Sequence, residues 1–126
     1  MKRLALFLAL AGSANAAPPE SFWRALHLVE TSGRQGPILG DNGRSLGPLQ
    51  ISRAYFTDSR VAGTYEQVVD LPFARRVVSA YLQRYAPKAW AEGDVYTLAR
   101  IHNGGVRGDR KQATINYAAK VRRAMR

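Results

Sequence analysis

The stretch Thr31–Pro48 carries Gly33, Gly36, Gly40, Gly43 and Gly47 together with Pro37 and Pro48. That density of helix breakers forbids a helix and leaves room for turns and at most a small hairpin. Asp41-Asn42-Gly43 is a tight-turn signal at its centre. Helical patterns flank the segment on both sides, so the chain must fold as helices around a glycine-rich excursion.

Before it, Ser21 is a candidate N-cap for a helix through about Val29, with Phe22, Leu26 and Val29 as its apolar stripe. After Pro48, Ile51, Ala54 and Tyr55 fall at helical spacing. Asp70, with Pro72 just inside, predicts the start of a helix whose buried face is Val77, Val78, Tyr81, Leu82 and Tyr85, ended by Pro87. Asp94 predicts another, with Leu98 and Ile101 inward and Gly104-Gly105 as its stop. The last helix is expected over about Ala113–Met125, with Ile115, Ala118, Val121 and Met125 on one side. No internal repeat or low-complexity tract interrupts this order.

Met1–Arg3 are basic, Leu4–Ala11 are uninterruptedly apolar, and Ala14-x-Ala16 supplies small residues. These are the parts of a secretory signal cleaved near Ala16. The expected division is a signal peptide over 1–16 and one domain over 17–126, secreted or periplasmic after cleavage. The apolar run is far short of the roughly 20 residues of a spanning helix, so stable membrane insertion is not expected.

The chain has no cysteine, which excludes disulfides, thiolate metal sites and cysteine nucleophiles. A domain of ~110 residues can still bury a core by packing alone. Of 126 residues, 19 are Lys or Arg and 9 are Asp or Glu, a formal charge of +10. Such a balance favours an anionic partner. The basic residues are scattered rather than interleaved with an aromatic ladder, so no specific nucleic-acid site is expected. Lys120, Arg122, Arg123 and Arg126 read as a solvated face of a core helix rather than a membrane-active one.

His27 and His102 are the only histidines, and neither has metal-ligand spacing. No nucleophile elbow or phosphate loop is present, and no metal or cofactor is expected. Among the carboxylates, Asp58, Asp70 and Asp94 are explained by helix ends. Glu30 differs: it follows Leu26-His27-Leu28-Val29 at the end of an apolar helix and faces the glycine-rich segment. Apolar burial and the negative end of a helix dipole both disfavour the carboxylate form, as a general acid at neutral pH requires. Position alone also fits a surface Glu. Asp41 could fold back over Glu30 as a second carboxylate, or be a turn former only.

Val29-Glu30-Thr31-Ser32-Gly33, Gly47-Pro48-Leu49-Gln50-Ile51, Ala54-Tyr55-Phe56, Ala99-Arg100-Ile101-His102-Asn103-Gly104-Gly105 and Ile115-Asn116-Tyr117-Ala118-Ala119-Lys120-Val121 occur in this order. Together they resemble the invertebrate-type, destabilase-like lysozymes over nearly the whole chain after residue 16. More broadly, the pattern looks like goose-type lysozymes and soluble lytic transglycosylases. The resemblance implies an α+β, predominantly α-helical, lysozyme-like fold with a small hairpin after the first helix. It implies Glu30 as general acid and Asp41 as second carboxylate. Gln50, Tyr55, His102, Asn103, Gly104 and Tyr117 would line the sugar groove, with Ser45 beside it. The implied activity is hydrolysis of the β-1,4 bond between N-acetylmuramic acid and N-acetylglucosamine by a monomer acting on peptidoglycan or chito-oligosaccharide. A lytic transglycosylase using Glu30 alone and a non-catalytic wall-binding module are the alternatives. Animal members are cysteine-rich, and this chain departs from them; together with the signal pattern, that gives it a bacterial or phage-borne look.

Overall fold

A computed structural model describes residues 17–126; the expected signal segment over 1–16 lies outside the described residues. Helix α1 (Glu20–Thr31) begins after Pro19, whose extended backbone makes it the N-cap in place of Ser21. Pro19 has no side-chain acceptor to offer, and Glu20 in the first turn complements the exposed backbone N–H groups electrostatically. The helix stops at Ser32, which turns left-handed at φ 59°. The amides of Ser32 and Gly33 return to the carbonyls of Leu28 and His27 at 2.9 and 3.1 Å. Glu30 thereby sits in the last turn.

The glycine-rich segment folds as the expected hairpin. Strands β1 (Leu39–Gly40) and β2 (Ser45–Leu46) pair antiparallel, Leu39 opposite Leu46 and Gly40 opposite Ser45. Asp41 and Asn42 both take positive φ, 52° and 57°, in the turn between them, the left-handed conformation that Asp and Asn tolerate best among non-glycine residues. Thr31, buried at the end of α1, donates its hydroxyl to the carbonyl of Pro48 at 2.9 Å. That bond ties the hairpin base to the helix end carrying Glu30.

Ile51 belongs to no helix. It bridges back to Leu46 as a strand residue and is fully buried. Helix α2 (Arg53–Ser59) starts only after Ser52, whose hydroxyl caps the amide of Tyr55 at 3.1 Å. A 3-10 turn (Tyr65–Val69) then leads to α3 (Leu71–Tyr85), where Asp70 caps Phe73 as expected. Pro87 ends α3 but also opens a further short helix, α4 (Pro87–Glu92), because a ring with fixed φ and no N–H suits a first helical turn as well as a stop. Helix α5 (Val95–Gly104) is capped by Asp94 and stopped by Gly105 at φ 87°.

A second 3-10 turn (Gly108–Arg110) precedes α6 (Ala113–Ala124). Its buried residues are Thr114, Ala118 and Val121, whereas Ile115 is exposed. The stripe is rotated by one residue because Thr114 is held inside by polar bonds: it accepts from Arg100 Nε at 2.8 Å, and its hydroxyl lies 2.7 Å from the carbonyl of Gly108. Phe22, Leu26, Leu49, Ile51, Val77, Val78, Leu82, Leu98 and Val121 are fully enclosed and form one core between the helices and the hairpin base. No helix among the described residues is long and apolar enough to cross a membrane.

Candidate active site

Glu30, in the last turn of α1, meets α6 and α5 directly, and a chain of contacts runs on from there to α2 and α3. Its Oε2 accepts a hydrogen bond from the Tyr117 hydroxyl of α6 at 2.7 Å and lies 3.3 Å from His102 Nε2 of α5. The other ring nitrogen of His102, Nδ1, is 2.8 Å from the Tyr55 hydroxyl of α2. Tyr55 in turn stacks on Tyr81 of α3, ring centres 3.8 Å apart and planes at 11°. The Glu30 side chain is 17% exposed and that of His102 only 2%. The carboxyl therefore reaches solvent while the groups behind it do not.

Burial is the main force on the two phenols that hold this assembly. It pushes both Tyr117 and Tyr55 well above the ordinary tyrosine range, and the negative charge of Glu30 adds to the effect on each. Both remain protonated donors through the neutral range. Of the two, only the Tyr117 O–H is aimed at the carboxylate oxygen, where it stabilises the charge left after a proton departs.

A cleft of about 270 Å³ opens beside this cluster. Asp41, Ser45 and Gln50 line it from the hairpin, Tyr55 and Asp58 from α2, Tyr81 from α3, and His102, Asn103, Gly104 and Gly105 from the end of α5. Glu30 meets the cleft through its contact with His102. Of the expected site residues, Asp41, Gln50, Tyr55, His102, Asn103 and Gly104 are thus brought together on one cleft, and Tyr117 joins them through Glu30.

Their local roles differ. Gln50, at φ 54°, gives its side-chain N–H to the carbonyls of Ile38 and Gly47, both at 3.0 Å, and so braces the hairpin. A Cβ on Gly40 would fall 1.9 Å from Gln50 Oε1, so any larger residue there would have to push the bracing amide aside. Asp41 is exposed on the turn, 3.5 Å from Arg44 NH2, and makes no hydrogen bond to Glu30. Asn103 is exposed and faces the cleft. Gly104 is crowded, since a Cβ there would lie 2.6 Å from the Thr114 methyl.

Sequence reasoning missed Asp58 and Tyr81 as cleft residues. Asp58 does stand at a helix end, in the last turn of α2, but it is Ser52 that caps the helix, and Asp58 lies i+3 from Tyr55 and on the cleft. Tyr81 sits on the apolar stripe of α3, and nothing in its spacing separates a core tyrosine from a cleft tyrosine. A wider depression of about 720 Å³ beside α3, lined by Val61, Leu71, Arg75 and Arg76 among others, contains no carboxylate or imidazole and offers no acid. Among the described residues, no group of three or more His, Asp and Glu is placed to hold a metal ion.

A helical body, a two-stranded hairpin and a cleft between them, with an acid at the end of the first helix, define the lysozyme class of fold. A Meretrix lusoria lysozyme, solved in complex with Aeromonas hydrophila PliI, superimposes with a TM-score of 0.73 at 28% identity, over 84% of this chain and 89% of that one. Tapes japonica lysozyme gives 0.71 at 26% identity, over 83% and 91%. In sequence, the chain is 38% identical over 82 residues to Lysozyme 1 of Crassostrea virginica, covering 64% of this chain and 45% of the relative. It is 36% identical over 80 residues to the Ostrea edulis lysozyme, covering 60% and 58%. The chain spans about half the length of these curated relatives. No family model matches the sequence. Sequence and fold alike make the chain similar to the invertebrate-type lysozymes.

Proposed function

We propose that this protein is a peptidoglycan-degrading glycoside hydrolase of the lysozyme type, cleaving the β-1,4 bond between N-acetylmuramic acid and N-acetylglucosamine. The observation that carries this reading is a part-exposed Glu30 carboxyl, hydrogen-bonded at Oε2 by Tyr117 and 3.3 Å from His102 Nε2, beside a cleft. Glu30 protonates the glycosidic oxygen as that bond breaks and positive charge develops on the sugar. Asp41, on the hairpin wall of the cleft, attacks the sugar carbon or orients a water. Similarity to proteins named lysozyme supports the substrate class. Once Lys2 and Arg3 are removed with the signal, 17 basic and 9 acidic residues leave a charge of +8, which suits a wall rich in carboxylates and anionic polymers, since attraction raises the capture rate. Action as a monomer, exported after cleavage near Ala16, completes the reading.

One observation favours a second reaction. Asp41 is exposed, adopts a turn conformation and is paired with Arg44 rather than with Glu30. If it is a turn residue only, Glu30 would act alone and the product would be a 1,6-anhydro sugar, as in a lytic transglycosylase. Mass spectrometry of muropeptides released from purified peptidoglycan separates the two. The hydrolase gives reducing ends, and Asp41→Asn is then expected to lower the rate by about 10²-fold or more. Anhydro products with an active Asp41→Asn variant would transfer the role to Glu30 alone.

The end of α5 offers a binding test. Asn103 is exposed on the cleft, so Asn103→Ala is expected to leave folding intact and to lose about 1 kcal/mol or more of affinity for an N-acetylglucosamine oligomer. A Cβ on Gly105 would sit 3.9 Å from the Tyr81 hydroxyl, which leaves space, but its φ of 87° strains any L side chain. Gly105→Val is therefore expected to cost about 1–2 kcal/mol in stability and to weaken glycan binding by more, as the branched side chain enters the cleft. Titration of both folded variants with chito-oligosaccharide checks this. Wild-type affinity in both would move the groove away from α5.

A further inference from the structure

We propose that His102 is a positioning residue for Glu30, locked in one tautomer by Tyr55, and that this lock decides which oxygen of Glu30 carries the catalytic proton. The proposal rests on the reading of Glu30 as the acid and adds how its proton is aimed. His102 is otherwise expected to touch sugar, but its side chain is buried and both ring nitrogens face protein groups.

The hydrogen-bond accounting is restrictive. Tyr55 is buried, and among the described residues its hydroxyl has one hydrogen-bond partner, His102 Nδ1 at 2.8 Å. Burial keeps this phenol protonated, and a buried O–H requires an acceptor. Nδ1 must therefore be the bare nitrogen, and the single proton of the neutral ring is on Nε2. Nε2 lies 3.3 Å from Glu30 Oε2, a charge-pair approach rather than a directed hydrogen bond, so the proton it carries sits beside that oxygen. Tyr117 donates to the same oxygen at 2.7 Å.

The Tyr117 hydrogen bond and the neighbouring Nε2–H both favour negative charge on Oε2, which leaves Oε1 as the oxygen that holds a proton in the acid form. During cleavage that proton passes from Oε1 to the glycosidic oxygen, which keeps the electron pair of the breaking C–O bond. The negative charge left on Glu30 then meets the Tyr117 O–H and the Nε2–H already in place, and no group has to reorient. In the other tautomer a bare Nε2 would face Oε2 and draw the acid proton towards the protein interior, away from the sugar. The buried Tyr55 hydroxyl thus acts on the chemistry through His102.

The decisive measurement is long-range 15N correlation NMR on the full-length folded protein labelled at histidine. The expected result is an Nε2–H, bare-Nδ1 imidazole for His102; an Nδ1–H ring would overturn the proposal whatever the activity. Tyr55→Phe keeps the ring stacked on Tyr81 and removes only the hydroxyl. It is expected to populate the Nδ1–H form and to lower kcat on an N-acetylglucosamine oligomer about tenfold, with KM within about twofold of wild type. His102→Gln, whose amide nitrogen can reach the Nε2 position, is expected to retain more kcat than His102→Asn, whose amide mimics Nδ1 only. Wild-type kcat in a folded Tyr55→Phe protein, or equal losses in the Gln and Asn variants, would reduce His102 to a packing role. Full activity of a Glu30→Gln variant would instead sink the acid assignment and leave the tautomer result standing.

Discussion

Replacing Glu30 by Gln is expected to abolish most wall lysis while leaving the fold intact. The amide is close in shape to the carboxyl, and its oxygen can accept from Tyr117 and stay beside His102 Nε2, as Oε2 does in the native protein. What it lacks is a proton that can be released to a leaving oxygen. Loss of a general acid costs about 10²–10⁴-fold in rate. Stability should move little, by about 0.5 kcal/mol, because no buried group loses its partner. Turbidity loss on cell walls, paired with a thermal melt, reads both quantities on one sample. Near-normal lysis would remove Glu30 from the mechanism. A large drop in melting temperature would mean that its carboxylate holds α1, α5 and α6 together rather than acting on substrate.

Local signals made much of the frame legible. Asp70 before Leu71-Pro72 and Asp94 before Val95 cap their helices as expected, because a cap is decided by atoms three residues apart. The Asp41-Asn42-Gly43 turn is equally local. What misled was ambiguity or distance. Pro87 can stop one helix and begin the next, and no neighbour in sequence reveals that it does both. Ile115 looks like core, yet its place is taken by Thr114, whose burial depends on Arg100 and Gly108.

The candidate site shows the same division. Glu30 stands out by its position at an apolar helix end, but its contact with Tyr117 spans 87 positions and that of Tyr55 with His102 spans 47. Contacts of that range leave no periodicity. Motif resemblance alone put Tyr55 and His102 near the sugar, and it could not show that their polar atoms face one another and Glu30. Asp58 is hidden for the opposite reason: a place at a helix end accounts for an Asp without regard to the side of the helix it occupies.

The glycine of the Gly47-Pro48-Leu49-Gln50 segment is expected to be the most sensitive backbone position of the hairpin. Gly47 is buried at φ 85°, and a Cβ there would lie 2.3 Å from the carbonyl oxygen of Val68 and 3.2 Å from Val69 Cα. Both neighbours are backbone and cannot swing aside. Gly43, on the same hairpin, has nearly the same φ, 83°, but a Cβ there would meet nothing within 4 Å. The pair separates strain from collision. Gly43→Ala is expected to cost about 1 kcal/mol, the penalty for a left-handed L residue. Gly47→Ala carries that penalty plus a displacement of the hairpin base from the Tyr65–Val69 turn, about 3 kcal/mol or more in total. Against a usual stability of about 5–15 kcal/mol this is a large fraction. Activity is expected to fall with it, since Asp41 in the hairpin turn and Gln50 just beyond β2 would shift with the hairpin base, and the amide of Gly47 would lose its 2.8 Å bond to the carbonyl of Ile38. Urea denaturation of the two variants side by side measures the difference. Equal losses at the two positions would mean that the 3-10 turn yields freely to a methyl group, and that Gly47 is glycine for its backbone angle alone.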